Sequence, residues 1–491
     1  GDVSTVALDE QNYYRPVRPI DVGAAVAVVT SIAATTTEEP TTTTSTSTTS
    51  TLPETTTSST STTVAETTTL ASTTSSTAAP TTSVVRTTTT VIPSTTVASA
   101  GNVEAGAYRL ATLTTSSCAI TQKGAVKCWG RNEQGQNGNG RSGLELLNEH
   151  PVQVTGLDAT TDARTAVEMS SRGGYHVCAL TKVGAVMCWG SRTYGQLGDG
   201  IGNGKDSPSR PTAMAIPEFD ASTAEKTASF VATGESTSCA IKRSGALFCW
   251  GDNRSGQASL GTSMYLSTPV AVSGFDGASP ERSAVMVSVG ATATCVVSKT
   301  GAVWCWGANA NGQLGDGTRV PRVGPVKSSV IDGSSSDRRA VGVSVGNMTA
   351  CAVMLNGAVK CWGNAAQSAF GSATLSGDML TPTTVTGIDG SATSKQATLV
   401  STSPNHSCAL LVNSSVVCWG NSGMGQAGKR GIVAPPFMPS DLDGKENDHA
   451  GVSISVSPFH TCAILKTGNA YCFGGTGTAR TSTQYEPQEL D

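Results

Sequence analysis

The stretch that decides the fold is "CAITQKGAVKCWG" at residues 118–130, in which two cysteines stand ten positions apart around a glycine. The motif returns six more times, and the first cysteines of neighbouring copies lie 54 to 61 residues apart. The seven copies contain fourteen cysteines: Cys118, Cys128, Cys178, Cys188, Cys239, Cys249, Cys295, Cys305, Cys351, Cys361, Cys408, Cys418, Cys462 and Cys472. These are all the cysteines of the 491-residue protein, so every thiol has a partner within its own copy.

The position of the glycine indicates a tight hairpin between the two cysteines. Six copies carry glycine at the sixth position after the first cysteine, and Ser414 is the exception. A three-residue hairpin loop needs a left-handed residue at its third position, where glycine is favoured. That loop places the two cysteines directly opposite each other, at a Cα separation that a disulfide tolerates. Apolar residues such as Ile120 and Val126 alternate onto the cysteine face, so we expect one buried face per hairpin.

The spacing alone leaves two other roles for these cysteines open. Reduced cysteines could pack in the core as small hydrophobic residues. Zinc is disfavoured, because the spacing lacks the two-to-four-residue knuckle of structural sites and a directly opposed pair leaves no room for further ligands. We favour seven disulfides, which form in oxidising compartments. The sequence therefore predicts a secreted or cell-surface protein.

Each repeat contains about four short strands. A β-branched run such as "AVMVSVG" (284–290) precedes the first cysteine, and a turn-rich segment such as "GQLGDG" (312–317) follows the second. A further strand such as "PVAVSGFD" (269–276) ends the repeat, and no helical periodicity lies between these elements. Four-stranded units repeated around a ring form a β-propeller. The predicted fold is therefore an all-β, seven-bladed propeller with four-stranded blades.

The order of these motifs resembles a known repeat family. Cys-Ala-hydrophobic, Gly-hydrophobic, Trp-Gly and "GQLGDG" together resemble the repeat of the regulator of chromosome condensation family, over roughly residues 107–491. The resemblance implies a seven-bladed propeller, here in a secreted, disulfide-bearing variant. It leaves the function open, since the superfamily includes a nuclear guanine-nucleotide exchange factor, a plant ultraviolet photoreceptor and a secreted β-lactamase-inhibiting propeller.

The first hundred residues have a different composition. Residues 35–100 are mostly threonine and serine with scattered proline, and they lack the apolar content to form a core. Such a tract is typical of a disordered, mucin-like stalk. The apolar run at residues 22–34 fits the core of a signal peptide and is too short to span a bilayer, although Asp21 beside it counts against a signal. We predict an N-terminal segment (1–34), a stalk (35–100) and a propeller (101–491), with no membrane span.

Composition and motifs exclude several functions. Only 14% of residues are charged and the net charge is −4, so no basic field favours nucleic acid. The sequence contains no nucleophile elbow, phosphate loop or metal-binding helix motif. We therefore expect no enzyme activity, no cofactor and no metal site.

Two kinds of recurring side chain invite a functional reading. A tryptophan follows the second cysteine in six copies, with Phe473 in the seventh, and these rings could line a glycan-binding or light-absorbing face. A residue at the same position of every blade is more simply an inter-blade packing element. His176, His406 and His460 each stand two residues before a first cysteine. No carboxylate recurs near them, so we favour a hydrogen-bonding role over a metal ligand or catalytic base.

Binding is expected in the loops, where surface segments tolerate change. The first two repeats have the longest returns between cysteine pairs, including residues 141–150 and 201–210. The candidate binding residues in these loops are Arg141, Glu145, His150, Asn203, Lys205 and Asp206.

We expect a monomeric, non-enzymatic adhesion module that binds an extracellular protein or glycan. A secreted inhibitor of an extracellular enzyme is the first alternative. Nucleotide exchange on a small GTPase is a third possibility by family analogy. The oxidised hairpins and the mucin-like tract disfavour it.

Overall fold

A computed structural model of the protein describes residues 109–144, 146–202, 207–258, 264–364, 370–372 and 377–475. Within these ranges the polypeptide forms seven antiparallel sheets and no α-helix, which confirms the predicted seven-bladed propeller. The predicted N-terminal segment and stalk lie outside the described residues.

The strands are numbered in sequence order and occupy four positions in the blades. The innermost strands are β1 (Arg109–Thr112), β5 (Ala166–Ser170), β9 (Ala228–Thr233), β13 (Ala284–Val289), β17 (Ala340–Val345), β21 (Ala397–Thr402) and β25 (Gly451–Val456). The second strands are β2 (Ser116–Ile120), β6 (His176–Thr181), β10 (Thr237–Lys242), β14 (Ala293–Ser298), β18 (Thr349–Met354), β22 (His406–Leu411) and β26 (His460–Leu465). The third strands are β3 (Val126–Arg131), β7 (Val186–Gly190), β11 (Ala246–Asp252), β15 (Val303–Gly307), β19 (Val359–Asn364), β23 (Val416–Ser422) and β27 (Ala470–Gly474). The outer strands are β4 (Leu147–Gln153), β8 (Arg210–Ala215), β12 (Tyr265–Asp276), β16 (Arg322–Lys327), β20 (Asp378–Thr384) and β24 (Gly431–Phe437).

Strands that follow one another in sequence are neighbours in each sheet. Six sheets show all four strands, and three strands of the seventh blade are described. Short 3-10 helices lie in the connections between blades, at Asp162–Arg164, Pro217–Phe219, Ala224–Lys226, Pro280–Arg282, Ser336–Arg338, Thr393–Lys395 and Ser440–Leu442. Each blade is therefore a local unit, and the ring is made by packing one blade against the next.

The central hairpin of every blade has the predicted register. Cys118 lies directly opposite Cys128, and the other six pairs repeat this arrangement. All seven pairs form disulfides with Cα separations of 4.0 to 4.1 Å, and the described residues include no free cysteine. Ser414 takes a left-handed φ of 67°, as the glycines of the other loops do. The loop geometry thus prevails over the residue type at this one position.

A bulge after the second cysteine turns the tryptophan toward the preceding blade. In the fourth blade the pairing of β15 with β16 shifts between Cys305 and Gly307. Gly307 has a φ of 110°, and a Cβ there would collide with the carbonyl of Thr292. Trp306 is fully buried, and its indole N–H donates to the carbonyl of Gln257 at 3.0 Å. The Trp-Gly pair is therefore an inter-blade lock.

The same lock recurs around the ring, which confirms the packing role predicted for the tryptophans. Three further indoles donate to the glutamine carbonyl of the preceding blade: Trp189 to Gln136 at 2.9 Å, Trp250 to Gln196 at 2.9 Å and Trp362 to Gln313 at 2.8 Å. These glutamines belong to the turn-rich "GQ" segments, so this part of each repeat serves architecture.

Serine hydroxyls of the innermost strands link neighbouring blades near the axis. Each accepts a hydrogen bond from a backbone N–H of the next innermost strand. These contacts are Thr233 to Ser170, Val345 to Ser288, Thr402 to Ser344, Val456 to Ser401 and Thr112 to Ser455. The last contact joins the first blade to the seventh. It lies beside an apolar cluster that includes Leu110, Trp129 and Ile464, so the ring closes without a covalent bond.

The disulfides can be counted directly. We expect the denatured, unreduced protein to take up no iodoacetamide, because each of the fourteen cysteines is bonded within its blade. Intact mass measurement after reduction should show fourteen added groups. Alkylation of the unreduced protein at several sites would contradict the oxidised blades.

The tryptophan lock can be tested with two matched variants. Trp362→Phe leaves the Gln313 carbonyl without its described donor, whereas in Trp306→Phe the Gln257 carbonyl still accepts from the Thr294 hydroxyl at 2.8 Å. Both variants lose similar ring volume, so the difference isolates the unsatisfied carbonyl. We expect Trp362→Phe to lose about 1 to 2 kcal/mol more of the free energy of unfolding, measured by urea denaturation. Equal losses would show that the indole N–H contributes nothing.

Candidate binding face

The two ends of the propeller are built from different turns. We call the upper face the end formed by the turns after the first and third strands of each blade, such as 171–175 and 191–202. The lower face is formed by the turns after the second strands and by the connections between blades, such as 182–185 and 216–227. Because the strands of each sheet are antiparallel, these two sets of turns lie at opposite ends.

The lower face is charged and regular. Five connections between blades carry an ion pair between residues six apart: Asp158 with Arg164, Asp220 with Lys226, Asp276 with Arg282, Asp332 with Arg338, and Asp389 with Lys395. Hydrogen bonds from the hydroxyl and backbone N–H of Ser222, together with Lys226, lower the pKa of Asp220 to about 2. These ion pairs stabilise the conformation of the connections. Because they recur in five connections, they do not distinguish one part of the ring from another.

The upper face carries exposed apolar side chains. Half of the fourteen large apolar side chains that are exposed in the described residues lie in its turns: Leu144, Tyr175, Ile201, Met264, Val320, Met348 and Met424. In the lower-face turns of the same ranges, only Met438 is of this kind. Exposed apolar side chains that gather on one end of a molecule make that end the candidate interaction surface.

An aromatic and arginine cluster adds to this face between the second and third blades. The rings of Tyr194 and Tyr265 lie 5.4 Å apart, and the Arg254 guanidinium sits 4.9 Å from the centre of the Tyr194 ring. Asp252 holds Arg254 in place through two hydrogen bonds of 2.9 and 2.8 Å. Arg254 remains about half exposed. Tyrosine and arginine in such fixed positions are enriched where protein interfaces derive their affinity.

An insertion in the second blade brings a charge to the axis of the ring. In that blade eight positions separate Ser170 from Cys178, with which it pairs, whereas seven separate the equivalent pair Ser401 and Cys408. The same interval is seven in each of the other blades, so one residue is inserted, and the turn between β5 and β6 has five residues where the equivalent turns have three. The longer turn contains Arg172, which reaches across the channel to the fifth and sixth blades.

Arg172 is held by backbone and hydroxyl oxygens. Its Nη1 donates to the Ser344 hydroxyl at 2.8 Å, to the Val345 carbonyl at 2.9 Å and to the Thr402 carbonyl at 3.2 Å. Loss of hydration lowers the pKa of Arg172 to about 10, so the group stays cationic at neutral pH. A cavity of about 90 Å³ lies beside it, among the axial turns of the upper face.

The structure describes two of the six predicted binding residues, Arg141 and His150. Arg141 lies exposed on the upper face, and its carbonyl accepts a hydrogen bond from the Asn132 side chain at 2.8 Å. The interpretation of 141–150 as a loop needs correction, because β4 begins at Leu147 and places exposed His150 within the outer strand. The strand starts earlier because residues 147 and 148 pair with the end of β3. Glu145, Asn203, Lys205 and Asp206 lie outside the described residues.

Sequence reasoning missed Arg172, Tyr194 and Arg254. The one-residue insertion before Cys178 was visible in the repeat spacing and could have singled out Arg172. The tyrosine and arginine cluster had no comparable signal, because its members come from two different blades.

The recurring histidines make hydrogen bonds between blades, as predicted. The Nε2 atom of each lies near a hydroxyl of the next blade: His176 near Ser238 at 2.9 Å, His406 near Thr461 at 2.6 Å and His460 near Ser117 at 3.4 Å. Burial lowers the pKa of His406 to about 3, with a smaller effect of His460. These imidazoles are therefore neutral structural groups.

No three or more His, Cys, Asp and Glu side chains of the described residues are placed to hold a metal ion. In the same ranges, no helix has the length and apolarity that crossing a membrane would require.

Comparison with known proteins agrees with this architecture. One model of the regulator of chromosome condensation (RCC1) repeat matches residues 300–353. A second model of that repeat matches residues 104–136, 167–196, 229–257, 285–313, 397–426 and 452–477.

Curated relatives and solved structures extend the similarity. The mitochondrial RCC1 domain-containing protein RUG3 of Arabidopsis thaliana is 25% identical over 70% of this protein and 74% of its own length. The probable E3 ubiquitin-protein ligase HERC6 of Homo sapiens is 30% identical over 44% of this protein, a match that spans only 20% of the ligase. The crystal structure of human WBSCR16 superposes with a TM-score of 0.61 at 18% identity, over 74% of this protein and 89% of that one, and shares the fold.

The buried histidines predict how stability depends on pH. The unfolded protein binds a proton at His406 below about pH 6.5, whereas the folded protein keeps this imidazole neutral down to about pH 3. Stability is therefore lost as the pH falls below 6.5, by about 2 kcal/mol at pH 5 for this residue alone. The variant His406→Thr introduces the residue that Thr237 and Thr349 supply in other blades. We expect the variant to show a shallower loss of unfolding free energy between pH 7 and pH 5. Identical slopes in urea titrations would refute the assignment.

Proposed function

The protein contains regulator of chromosome condensation (RCC1) repeats, and on that premise we propose that it is a non-enzymatic module that holds a partner protein on its upper face. Seven disulfides indicate an oxidising environment, so we place this binding outside the cell or at its surface. Some relatives with RCC1 repeats are named as ligases. The match covers only a fifth of the length of HERC6, so we do not include catalysis in the proposed role.

The observation that carries the proposal is the difference between the two faces. The upper-face turns expose apolar side chains on six of the seven blades, whereas the lower face repeats one kind of ion pair. Removing apolar surface from water is the main favourable term in protein association. Surface ion pairs of the lower-face kind contribute little to stability or binding. Of the protein and glycan ligands expected from the sequence, the apolar upper face favours a protein.

The aromatic and arginine cluster supplies a centre for such an interface. Tyr194, Tyr265 and Arg254 are already fixed by one another and by Asp252, so they lose little conformational freedom when a partner covers them. Exposed Ile201 and Met264 lie in the turns of the same two blades, and would surround this centre with apolar contact. An adhesin and a secreted inhibitor of an extracellular enzyme would both use such a surface.

The test is capture by the immobilised full-length protein from envelope extracts and from a panel of glycans. We expect one specific protein to be retained, and the double variant Ile201→Asp with Met264→Asp to reduce the retained amount at least tenfold, because two charges would be desolvated at the interface. Both side chains are more than half exposed, so the fold should tolerate the change.

The matched control is Met438→Asp, which places the same charge on an exposed methionine of the lower face. It should leave capture unchanged. Equal loss in both variants, or retention of a glycan alone, would refute binding of a protein at the upper face. Co-purification of a released form with a single extracellular enzyme would favour the inhibitor over the adhesin.

A further inference from the structure

We propose that the axial cavity of the upper face binds a carboxylate group, which Arg172 receives through two parallel hydrogen bonds. The carboxylate would come from an acidic side chain or from the C-terminus of a polypeptide. The inference rests on the proposed function only in that the bound partner supplies this group, since the cavity itself belongs to the propeller.

Arg172 lies at the axis of the propeller, in contact with the innermost strands of two other blades. The turn between β5 and β6 has five residues, whereas the equivalent turn of each other blade has three, and this longer turn projects the side chain of Arg172 across the axis. The guanidinium is anchored to the fifth and sixth blades by Nη1. A group that is fixed from both sides keeps its orientation before a ligand arrives.

Only one of the three guanidinium nitrogens of Arg172 has a hydrogen-bond partner in the described residues. Nη1 makes all three described contacts of the side chain, and Nε and Nη2 make none within the described part of the protein. No carboxylate in these ranges forms an ion pair with Arg172. The only described partners of this cation are therefore oxygens that carry no formal charge.

The remaining donors of Arg172 match the geometry of a carboxylate. Nε and one N–H of Nη2 point in parallel from one edge of the planar guanidinium, and a carboxylate offers two oxygens with the matching separation. Charge-assisted pairs of this kind are about twice as strong as neutral hydrogen bonds. A carboxylate would satisfy both the free donors and the missing negative charge.

The walls of the cavity set the size of the ligand. Gly290 and Gly346 line it, and a Cβ on either would meet the backbone of the next blade, so the axial turns close tightly. A volume of about 90 Å³ accommodates a carboxyl group with the methylene groups that bear it, and is too small for a nucleotide or an oligosaccharide. The carboxylate therefore enters as the end of a side chain or of a polypeptide.

Glu235 is the second charged residue among those that line the cavity. Burial raises its pKa, and the negative charge of Asp252 raises it further. An ionised Glu235 repels an incoming carboxylate, so this residue opposes binding. Removing its charge while keeping its shape should strengthen binding of an anion and weaken binding of a cation.

The experiment is isothermal titration of the full-length protein with three probes at matched ionic strength. The probes are propionate, a neutral peptide with a free C-terminus, and the same peptide with an amidated end and one internal aspartate. Chloride serves as the reference anion. We expect saturable binding of propionate in the millimolar range. One of the two peptides should bind more tightly than propionate, and it identifies the carboxylate of the natural partner as a C-terminus or as an acidic side chain.

Two variants decide the role of the residues. Arg172→Lys keeps the positive charge but loses the paired donors, and it should weaken binding of propionate at least tenfold. Glu235→Gln should tighten it several-fold, and this variant keeps the proposal testable if Arg172→Lys fails to fold. Propionate binding no stronger than chloride, or unaffected by both substitutions, would leave Arg172 as a structural cross-link and overturn the inference.

The small probe separates this inference from the proposed function. Propionate needs no partner protein, so its failure to bind refutes the carboxylate site and leaves protein capture by the upper face intact. Propionate binding without capture of any protein would support the site and count against the proposed function.

Discussion

In each of the six blades whose outer strand is described, a disulfide joins the second and third strands just before the backbone bulges at an aromatic residue. The bond fixes which residues of the hairpin face each other, and so it fixes where the bulge begins. The glycine after Trp306 is needed because the bulge brings the backbone against Thr292. The buried indole then finds the carbonyl of Gln257, and two blades are held at one distance and angle. The spacing of the whole ring follows from this sequence of constraints.

The fold was open to prediction because its determinants are local and repeated. The interval between the cysteines requires one register, and that register is seen in all seven hairpins, including the one in which Ser414 replaces glycine. The role of the tryptophans followed from their recurrence, and so did the hydrogen-bonding role of His176 and His406. A residue that recurs at the same position of the blades is expected to have a structural role, because a binding site for one ligand would need residues in only some of the blades.

The candidate site was harder to predict, because it consists of departures from the repeat. Arg172 has significance only through the longer turn that moves it to the axis and through oxygens more than 170 positions away. Tyr194 and Arg254 meet only when two blades pack together. The long loop that begins at Arg141 lies on the upper face, and a binding role for it stays a prediction. His150 was also predicted to lie in a loop, although pairing with the end of β3 extends the outer strand through this residue.

The ring closes between its first and last blades through hydroxyl contacts and apolar packing, the same kinds of contact that join blades consecutive in sequence. Every sulfur bridge stays inside one hairpin, so none depends on which blade comes first. The contacts that close the ring therefore do not depend on where along the ring the polypeptide begins. A circularly permuted gene that begins at another inter-blade connection encodes the same set of locks and bridges. The order of the blades around the axis matters only where one of them, such as the blade of Arg172, differs from the rest.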